Sequence, residues 1–140
     1  MLSAPTHAGS VRTSGFGGTD SGDNRVEFCV AYDNRERGFD DNGATRPVTV
    51  YNCTAEHNPI NFRLGCAVRG PGGVTCPPHR LRNNLSFRGR TAVSPVADSR
   101  RNSWDLALSD PLFVSVDRAD LAFLRLQATS PAIDAGEDVG

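Results

Sequence analysis

The chain has 140 residues, and its 15 basic and 16 acidic side chains give a formal net charge of −1, which builds in no attraction to nucleic acid or membrane surfaces. All 15 basic residues are arginines, so no lysine is present to act as a catalytic base. Fourteen glycines and nine prolines favour many turns and short strands, and no apolar run approaches the roughly 20 residues of a membrane span.

The N-terminal segment, residues 1–24, is rich in Gly, Ser and Thr and is predicted to be irregular. Phe16 is its one large apolar anchor. The segment has no hydrophobic stretch of the kind that a secretion signal needs, so we expect either a cytoplasmic protein or a natural start further upstream.

A repeat follows, with strands predicted at Val26–Ala31 and Val48–Cys53. Three residue pairs recur at a spacing of 24 residues: Cys29 and Cys53, Ala31 and Ala55, and Asn34 and Asn58. A second strand of each unit is predicted around Phe39 and Phe62, 23 residues apart. This period is too short for a propeller blade and its pattern is strand-like, so it fits one coil of a parallel β-helix.

A degenerate third copy runs from Leu81 to Phe87. Asn84 follows Cys53 by 31 residues instead of 24, which predicts an insertion of about seven residues within Val68–Pro78. In such a stack Asn34 and Asn58 would form an asparagine ladder between successive coils. An antiparallel sandwich, the alternative, does not explain the fixed spacing of Cys, Ala and Asn together.

The four cysteines allow three pairings. Cys29 and Cys53 are predicted to be small buried side chains one rung apart. Cys66 and Cys76 flank a Gly-Pro loop that a disulfide would close if the protein is exported. A zinc site is an alternative, since CPPH has ligand-like spacing; its ligands would be His57, Cys66, Cys76 and His79.

Asp40 and Asp41 are adjacent carboxylates in the turn before an Asn-Gly pair. They are candidate Ca²⁺ ligands. The commoner explanation is a solvated acidic turn, because neighbouring side chains at a strand end point to opposite faces. His57 and His79 show no Ser or Asp partner in the sequence and are interpreted as loop residues.

Six segments carry a resemblance to a known family: GFGGTDSGDNRVEFCVAYDN, GFDDNG, VTVYNCTAEHNPINFRLG, LRNNLSF, NSW with SDPLFVSVD, and FLRLQATSPAIDAGEDVG. In this order they cover most of residues 15–140. They resemble the C-terminal part of the family-nine polysaccharide lyases, which are pectate lyases with a right-handed parallel β-helix.

The resemblance implies an extracellular enzyme that cleaves polygalacturonate by β-elimination, with aspartate-bound Ca²⁺ acidifying the C5 proton and a lysine removing it. The family's lysine lies in a segment resembling NGFKxGG, where this chain has Ser14–Gly18 without lysine. The calcium aspartates of a DDGWD-like segment have no counterpart here. We therefore expect a truncated lyase that binds no Ca²⁺ of its own and is inactive alone.

The fold prediction is an all-β, right-handed parallel β-helix of about four or five coils in one domain spanning residues 1–140. Residues 25–90 form the coils and residues 91–140 a closing region. The N-terminal segment and Trp104–Leu126 are candidate covers for the ends of the core, and an open N-terminal end predicts self-association.

The site predictions follow from the same resemblance. Arg12, Arg37 and Arg63 are possible substitute bases, and Arg63 is the candidate chosen among them. Arg37 and Asn42 are candidate substrate-binding residues, and the ligand is an acidic polysaccharide such as polygalacturonate. A non-catalytic module that binds acidic polysaccharide, or serves a structural role, is the first alternative function. A glycoside hydrolase with paired carboxylates is the second, and its candidate pairs are Asp33 with Asp41 and Asp40 with Glu56.

Overall fold

The computed structural model describes residues 11–12, 24–68 and 73–140 of the chain. Within these ranges the chain forms short strands and turns and no α-helix, so no helix is present there that could cross a membrane. The predicted anchor Phe16 and the Ser14–Gly18 segment lie outside the described residues.

Three parallel sheets wrap around one core. Sheet A contains β1 (Val11–Arg12), β4 (Arg37–Asp40), β7 (Ile60–Leu64) and β12 (Arg90–Val93). Sheet B contains β2 (Asn24–Glu27), β5 (Val48–Tyr51), β10 (Arg80–Arg82) and β13 (Asp98–Arg100). Sheet C contains β3 (Val30–Tyr32), β6 (Thr54–Glu56) and β11 (Leu85–Phe87). Two further strands, β8 (Ala67–Val68) and β9 (Val74–Thr75), form an antiparallel hairpin.

The chain passes through sheets B, C and A in that order and then returns to sheet B one rung higher. The predicted parallel β-helix is therefore confirmed. Within the described ranges it has three complete coils, with β1 before them and β13 after them. The parallel ladder continues to Arg100 through β13, beyond the coil boundary predicted at residue 90.

The registers follow the predicted spacings. Ala31 pairs with Ala55, Phe39 with Phe62, and Leu85 with Thr54. The β8–β9 hairpin occupies the predicted insertion, between sheet A and the return to sheet B. Alternation along the strands sends Phe39 and Phe62 inward, where their rings stack with centroids 4.9 Å apart and exclude water completely.

Two tight turns recur in every coil, and each contains a residue in the left-handed conformation. Between sheets B and C these residues are Phe28, Asn52 and Asn83, with φ between 51° and 57°. Arg101 takes the same conformation directly after β13, the last strand of sheet B. Between sheets C and A they are Asp33, His57 and Arg88, with φ between 50° and 54°. Asn and Asp tolerate this conformation best, and tight turns with hydrogen bonds between coils hold the other residue types there.

Side-chain amides join the turns of successive coils. Asn58 Oδ1 accepts from the backbone N–H and the side-chain amide of Asn34, at 2.9 and 2.8 Å, so the predicted asparagine ladder is confirmed. At the other turn Asn84 Oδ1 accepts from the Cys53 N–H at 2.9 Å. Cys53 and Asn84 are fully buried, whereas Cys29 is only partly buried against the core, so the predicted column of small buried side chains is confirmed for Cys53 alone. Both cysteines are free thiols.

The C-terminal region covers the β-helix in two ways. The Trp104 ring lies 5.0 Å from that of Phe62 and shields the core. The residues beyond it pack along the outer face of sheet C, where Phe123 meets Tyr32 at 5.0 Å and Phe113 meets Phe87 at 5.8 Å. The region is thus a side cover more than an end cap. The predicted self-association through the N-terminal end stays a prediction.

Candidate functional site

The outer face of sheet A carries the predicted site residues. Asp40 and Arg63 are partners in the parallel register of β4 and β7, and they point away from the core because Phe39 and Phe62 point inward. Arg37, at the start of β4, lies on the same face, where its guanidinium reaches Asp40. The structure therefore brings Arg37, Asp40 and Arg63 together.

Asp40 is the centre of this group, although only 2% of the residue is exposed. Its Oδ2 accepts from Arg37 Nη1 at 2.6 Å, and its Oδ1 accepts from Arg63 Nη1 at 3.0 Å and from the Asn42 N–H at 2.9 Å. Burial opposes ionisation of this carboxyl, but the hydrogen bonds from Arg37, Asn42 and Arg63 outweigh it, so the pKa of Asp40 lies below its usual value.

Asp41 is also buried, and its Oδ1 lies 3.7 Å from Arg63 Nη1. It accepts the Gly65 N–H at 2.9 Å and the Gly43 N–H at 3.2 Å, and its Oδ2 lies 3.2 Å from His79 Nε2. His79 is fully buried, and its Nδ1 accepts the Val48 N–H at 3.1 Å, which places the ring proton on Nε2, towards Asp41 and the Gly65 carbonyl.

One interpretation from the sequence is therefore wrong. Asp40 and Asp41 do not form a solvated turn: both are buried, because arginines from β4 and β7 and a histidine from the next coil cover them. His79 lies in a loop, as predicted, but it is fully buried there. The sequence did predict the backbone of this corner, since Asn42 and Gly43 take the left-handed conformation expected of Asn-Gly.

The metal hypotheses can be compared with this geometry. Guanidinium and N–H donors, together with His79, already occupy the carboxylates of Asp40 and Asp41, and Arg63 Nη1 lies between them, 3.0 Å from Asp40 Oδ1 and 3.7 Å from Asp41 Oδ1. These residues do not fit a Ca²⁺ ion, which needs six to eight oxygen ligands converging on one point. Among the described residues no three His, Cys, Asp or Glu side chains converge as metal ligands.

The zinc hypothesis fails on its cysteines. Cys66 and Cys76 form a disulfide that closes the β8–β9 hairpin, so no thiolate remains there for a metal. His57 is exposed, whereas His79 is buried against Asp41.

Neither candidate pair of the paired-carboxylate hypothesis presents two exposed carboxyl groups. Asp40, Asp41 and Glu56 are each at most 2% exposed, and Glu56 forms an ion pair with Arg88. A glycosidase needs two carboxyl groups facing the same sugar. Neither candidate pair meets this requirement.

Three of the predicted site residues are still candidates for binding a ligand: the arginines Arg37 and Arg63, and Asn42 with its side-chain amide. The side chains of Arg37 and Arg63 are 35% and 37% exposed, so each guanidinium has N–H groups directed to solvent while Asp40 holds it in place. Asn42 is exposed in the adjoining turn. This arrangement suits binding of an extended polyanion along sheet A.

The structure also brings together a second group of polar side chains that the sequence analysis does not predict. His57 Nδ1 lies 2.7 Å from Asp33 Oδ1, and Arg118 Nη1 lies 3.4 Å from the other oxygen of the same carboxylate. The signal was available, because Asp33 and His57 are separated by the 24 residues of the repeat and so stack in adjacent coils. The spacing of the repeat does not indicate that Arg118 contacts the Asp33 carboxylate.

Comparison with known proteins gives relatives in sequence and in structure. No family model matches the chain. The chain is 34% identical over 145 aligned residues to pectate lyase L of Dickeya dadantii (strain 3937), and 33% identical over 145 to pectate lyase L of Dickeya chrysanthemi. Each alignment covers 92% of this chain and 33% of the relative, so the chain spans about one third of the length of these curated proteins.

The structural comparison agrees with the sequence comparison. The crystal structure of pectate lyase Pel9A superimposes with a TM-score of 0.71 and 31% sequence identity. The match covers 83% of this chain and 31% of Pel9A. Both comparisons thus point to the same class of β-helix protein over about a third of its length.

Proposed function

Because this chain is a pectate lyase-like β-helix protein, we propose that it binds polygalacturonate, or a similar acidic polysaccharide, on the outer face of sheet A. The relatives are named for pectate, a chain of uronate sugars with a carboxylate on each ring. The proposal extends from those whole proteins to a chain that spans a third of their length.

One observation supports this proposal most directly: Asp40 is buried beneath two partly exposed arginines on that face. Asp40 fixes one side of the Arg37 and Arg63 guanidiniums and leaves other N–H groups pointing outward. Guanidinium is planar and binds carboxylate through paired hydrogen bonds, so fixed arginines along parallel strands suit a linear polyuronate.

Arg63 is assigned the role of binding a uronate carboxylate rather than that of a base. A guanidinium keeps its proton in proteins, so it is a poor base but a good partner for a carboxylate. Because the residues at this site do not fit Ca²⁺, no step of β-elimination is assigned to them. We expect binding without turnover by this chain alone.

We also propose that the chain works outside the cell. The Cys66–Cys76 disulfide supports this location, because such bonds persist in oxidising compartments.

Affinity electrophoresis in native gels containing polygalacturonate tests the binding proposal. We expect retardation of the chain and an Arg63→Gln variant that binds about tenfold more weakly, since a charge-assisted hydrogen bond contributes roughly 1.5–3 kcal/mol. The matched control is Arg25→Gln, an ion-paired surface arginine on sheet B, which should bind like the parent chain.

Equal binding by the parent chain and Arg63→Gln would contradict the assignment of this face. Release of unsaturated uronides from polygalacturonate with added Ca²⁺, followed by their absorbance, would contradict the expectation of binding without turnover.

A further inference from the structure

The corner between sheets C and A carries a column of ionisable side chains. Asp33, His57 and Arg88 occupy the left-handed position of this turn in successive coils. Backbone hydrogen bonds from the Asp33 N–H to the Glu56 carbonyl, at 3.3 Å, and from the His57 N–H to the Phe87 carbonyl, at 3.0 Å, hold the three turns one rung apart. Adjacent side chains of the column are therefore close enough to act on one small ligand.

The His57 ring has a fixed orientation. An ionised carboxylate can only accept, so the 2.7 Å contact with Asp33 Oδ1 places a proton on Nδ1. In the neutral ring Nε2 is then an acceptor, and the ring is 60% exposed, which leaves this atom accessible to solvent. Arg118 holds the other oxygen of Asp33 at 3.4 Å and so fixes the carboxylate in turn.

Arg88 lies beside this ring with one edge already engaged. Its Nε donates to Glu56 Oε1 at 2.6 Å, Nη2 binds the same oxygen, and Glu56 is buried. A guanidinium has five N–H donors in a rigid fork, so the remaining edge of Arg88 can donate to a ligand. Its side chain is 42% exposed.

A cavity of about 290 Å³ lies between them, lined by His57, Asn58, Pro59, Arg88 and Gly89. Gly89 allows the two turns to approach, because a Cβ at this position would lie 2.2 Å from the Asn58 carbonyl oxygen. The volume is at the lower end of the range of small-molecule sites, which suits a single sugar ring.

We propose that this cavity, the His57 cavity, is a second binding site, specific for one uronate sugar. A ring hydroxyl donates to His57 Nε2, and the ring carboxylate accepts from Arg88. Asp33 is a positioning residue that selects the tautomer of His57. A neutral hexose lacks the carboxylate for Arg88, and a phosphate dianion lacks the proton that Nε2 needs. The choice of ligand rests on the proposed function, but the site is separate from Arg37 and Arg63.

Nitrogen-15 NMR of the His57 imidazole in the full 140-residue chain tests the site. The probe is methyl galacturonoside, with methyl galactoside as the neutral control. We expect a saturable shift of the Nε2 resonance with the uronide only. His57→Asn, which suits the left-handed backbone, should bind about three- to tenfold more weakly, the value of one neutral hydrogen bond.

Three variants distinguish a failure of this site from a failure of the sheet A site and from a general effect on the turns. Arg101→Asn, at the left-handed position that follows β13, should bind the uronide like the parent chain. Asp33→Asn should redistribute the proton between Nδ1 and Nε2 and weaken binding. Arg63→Gln should leave the His57 response intact, so loss of polygalacturonate binding at sheet A does not affect this result. Absence of a saturable His57 shift, or equal affinity of His57→Asn and the parent chain, would overturn the proposal.

Discussion

Asp40 carries its charge beneath the surface of sheet A because three donors surround it. The arginines that hold it come from two different coils, so the carboxylate links the coils as well as orienting the binding face. Its depressed pKa means that the folded chain binds the proton on Asp40 less readily than the unfolded chain does.

Asp40→Asn is expected to lower the free energy of unfolding by about 1.5–3 kcal/mol at neutral pH, because the two guanidiniums lose a charged acceptor. The depressed pKa of Asp40 determines how this stabilisation changes with pH. The stabilisation is present above the ordinary value of 3.8 and is lost as the pH falls through the lower folded value.

Urea unfolding of both chains at several pH values measures this difference. Asp134→Asn, an exposed left-handed position, is the control and should change little. A difference between Asp40→Asn and the parent chain that stays constant into the acid range would contradict the role given to the ion pairs.

Cys53 is a second residue whose environment predicts its chemistry. It is fully buried, and this burial raises the pKa of its thiol to about 12. We expect a disulfide reagent to modify Cys53 in the native chain only at the rate of unfolding. Labelling followed by peptide mass spectrometry measures this, and rapid labelling of Cys53 without unfolding would disagree with the packing described.

At the scale of the elements, the strands of successive coils are joined by backbone hydrogen bonds, and in the turns side-chain ladders supply part of this bonding between coils. Asn84 is the clearest case: its Oδ1 accepts from Cys53, its Nδ2 donates to the Val50 carbonyl at 2.8 Å, and it is fully buried. Asn102 continues the column by accepting the Asn84 N–H at 2.9 Å.

Asn84→Ala should therefore cost about 3 kcal/mol, because it removes the partners of two backbone groups in the preceding coil, the Cys53 N–H and the Val50 carbonyl. Chemical denaturation gives the total, and hydrogen exchange of the Cys53 amide gives the local effect, which should be a marked loss of protection. Unchanged protection at Cys53 would show that this amide does not depend on Asn84.

These ladders also show how far the sequence determines the structure. The 24-residue spacing predicted the registers of Ala31 and Ala55 and the amide ladder at Asn58, because stacked coils place equivalent residues side by side. The burial of Asp40 was not predictable in this way. It depends on how Arg37 and Arg63 fold over the carboxylate, and side-chain direction across coils has no periodic signal.

The structure around the insertion was also only partly predictable, because the insertion has no counterpart in the repeat. The hairpin between Val68 and Pro78 was located by the offset of Asn84, but nothing in the sequence indicated that the chain would return with His79 inside the protein. The pairing of His57 with Asp33 follows the 24-residue repeat, although the paired-carboxylate hypothesis assigns Asp33 to Asp41.

At the scale of the whole molecule, the net charge of −1 conceals local separation of charge. Arginines lie along sheet A and at the corner beside it, while their carboxylate partners Asp40 and Glu56 are buried under them. A surface arranged in this way attracts an acidic polymer over short range even though the molecule as a whole does not.

Self-association belongs to this scale as well. Within the described ranges β2 and β3 are the first strands of sheets B and C, and edge strands favour pairing with another chain. We expect the melting temperature and the sedimentation coefficient to rise with protein concentration. A monomer with a concentration-independent, cooperative transition would contradict this expectation.

The central claim is that the β-helix presents Arg37 and Arg63 on sheet A as a binding face for polygalacturonate. Titration of the isotope-labelled chain with trigalacturonate, followed through backbone amide shifts, tests it most directly. The account predicts saturable shifts that are largest on β4, β7 and the turn at residues 41–43. Shifts centred on sheet B, or no saturable shifts at all, would contradict it.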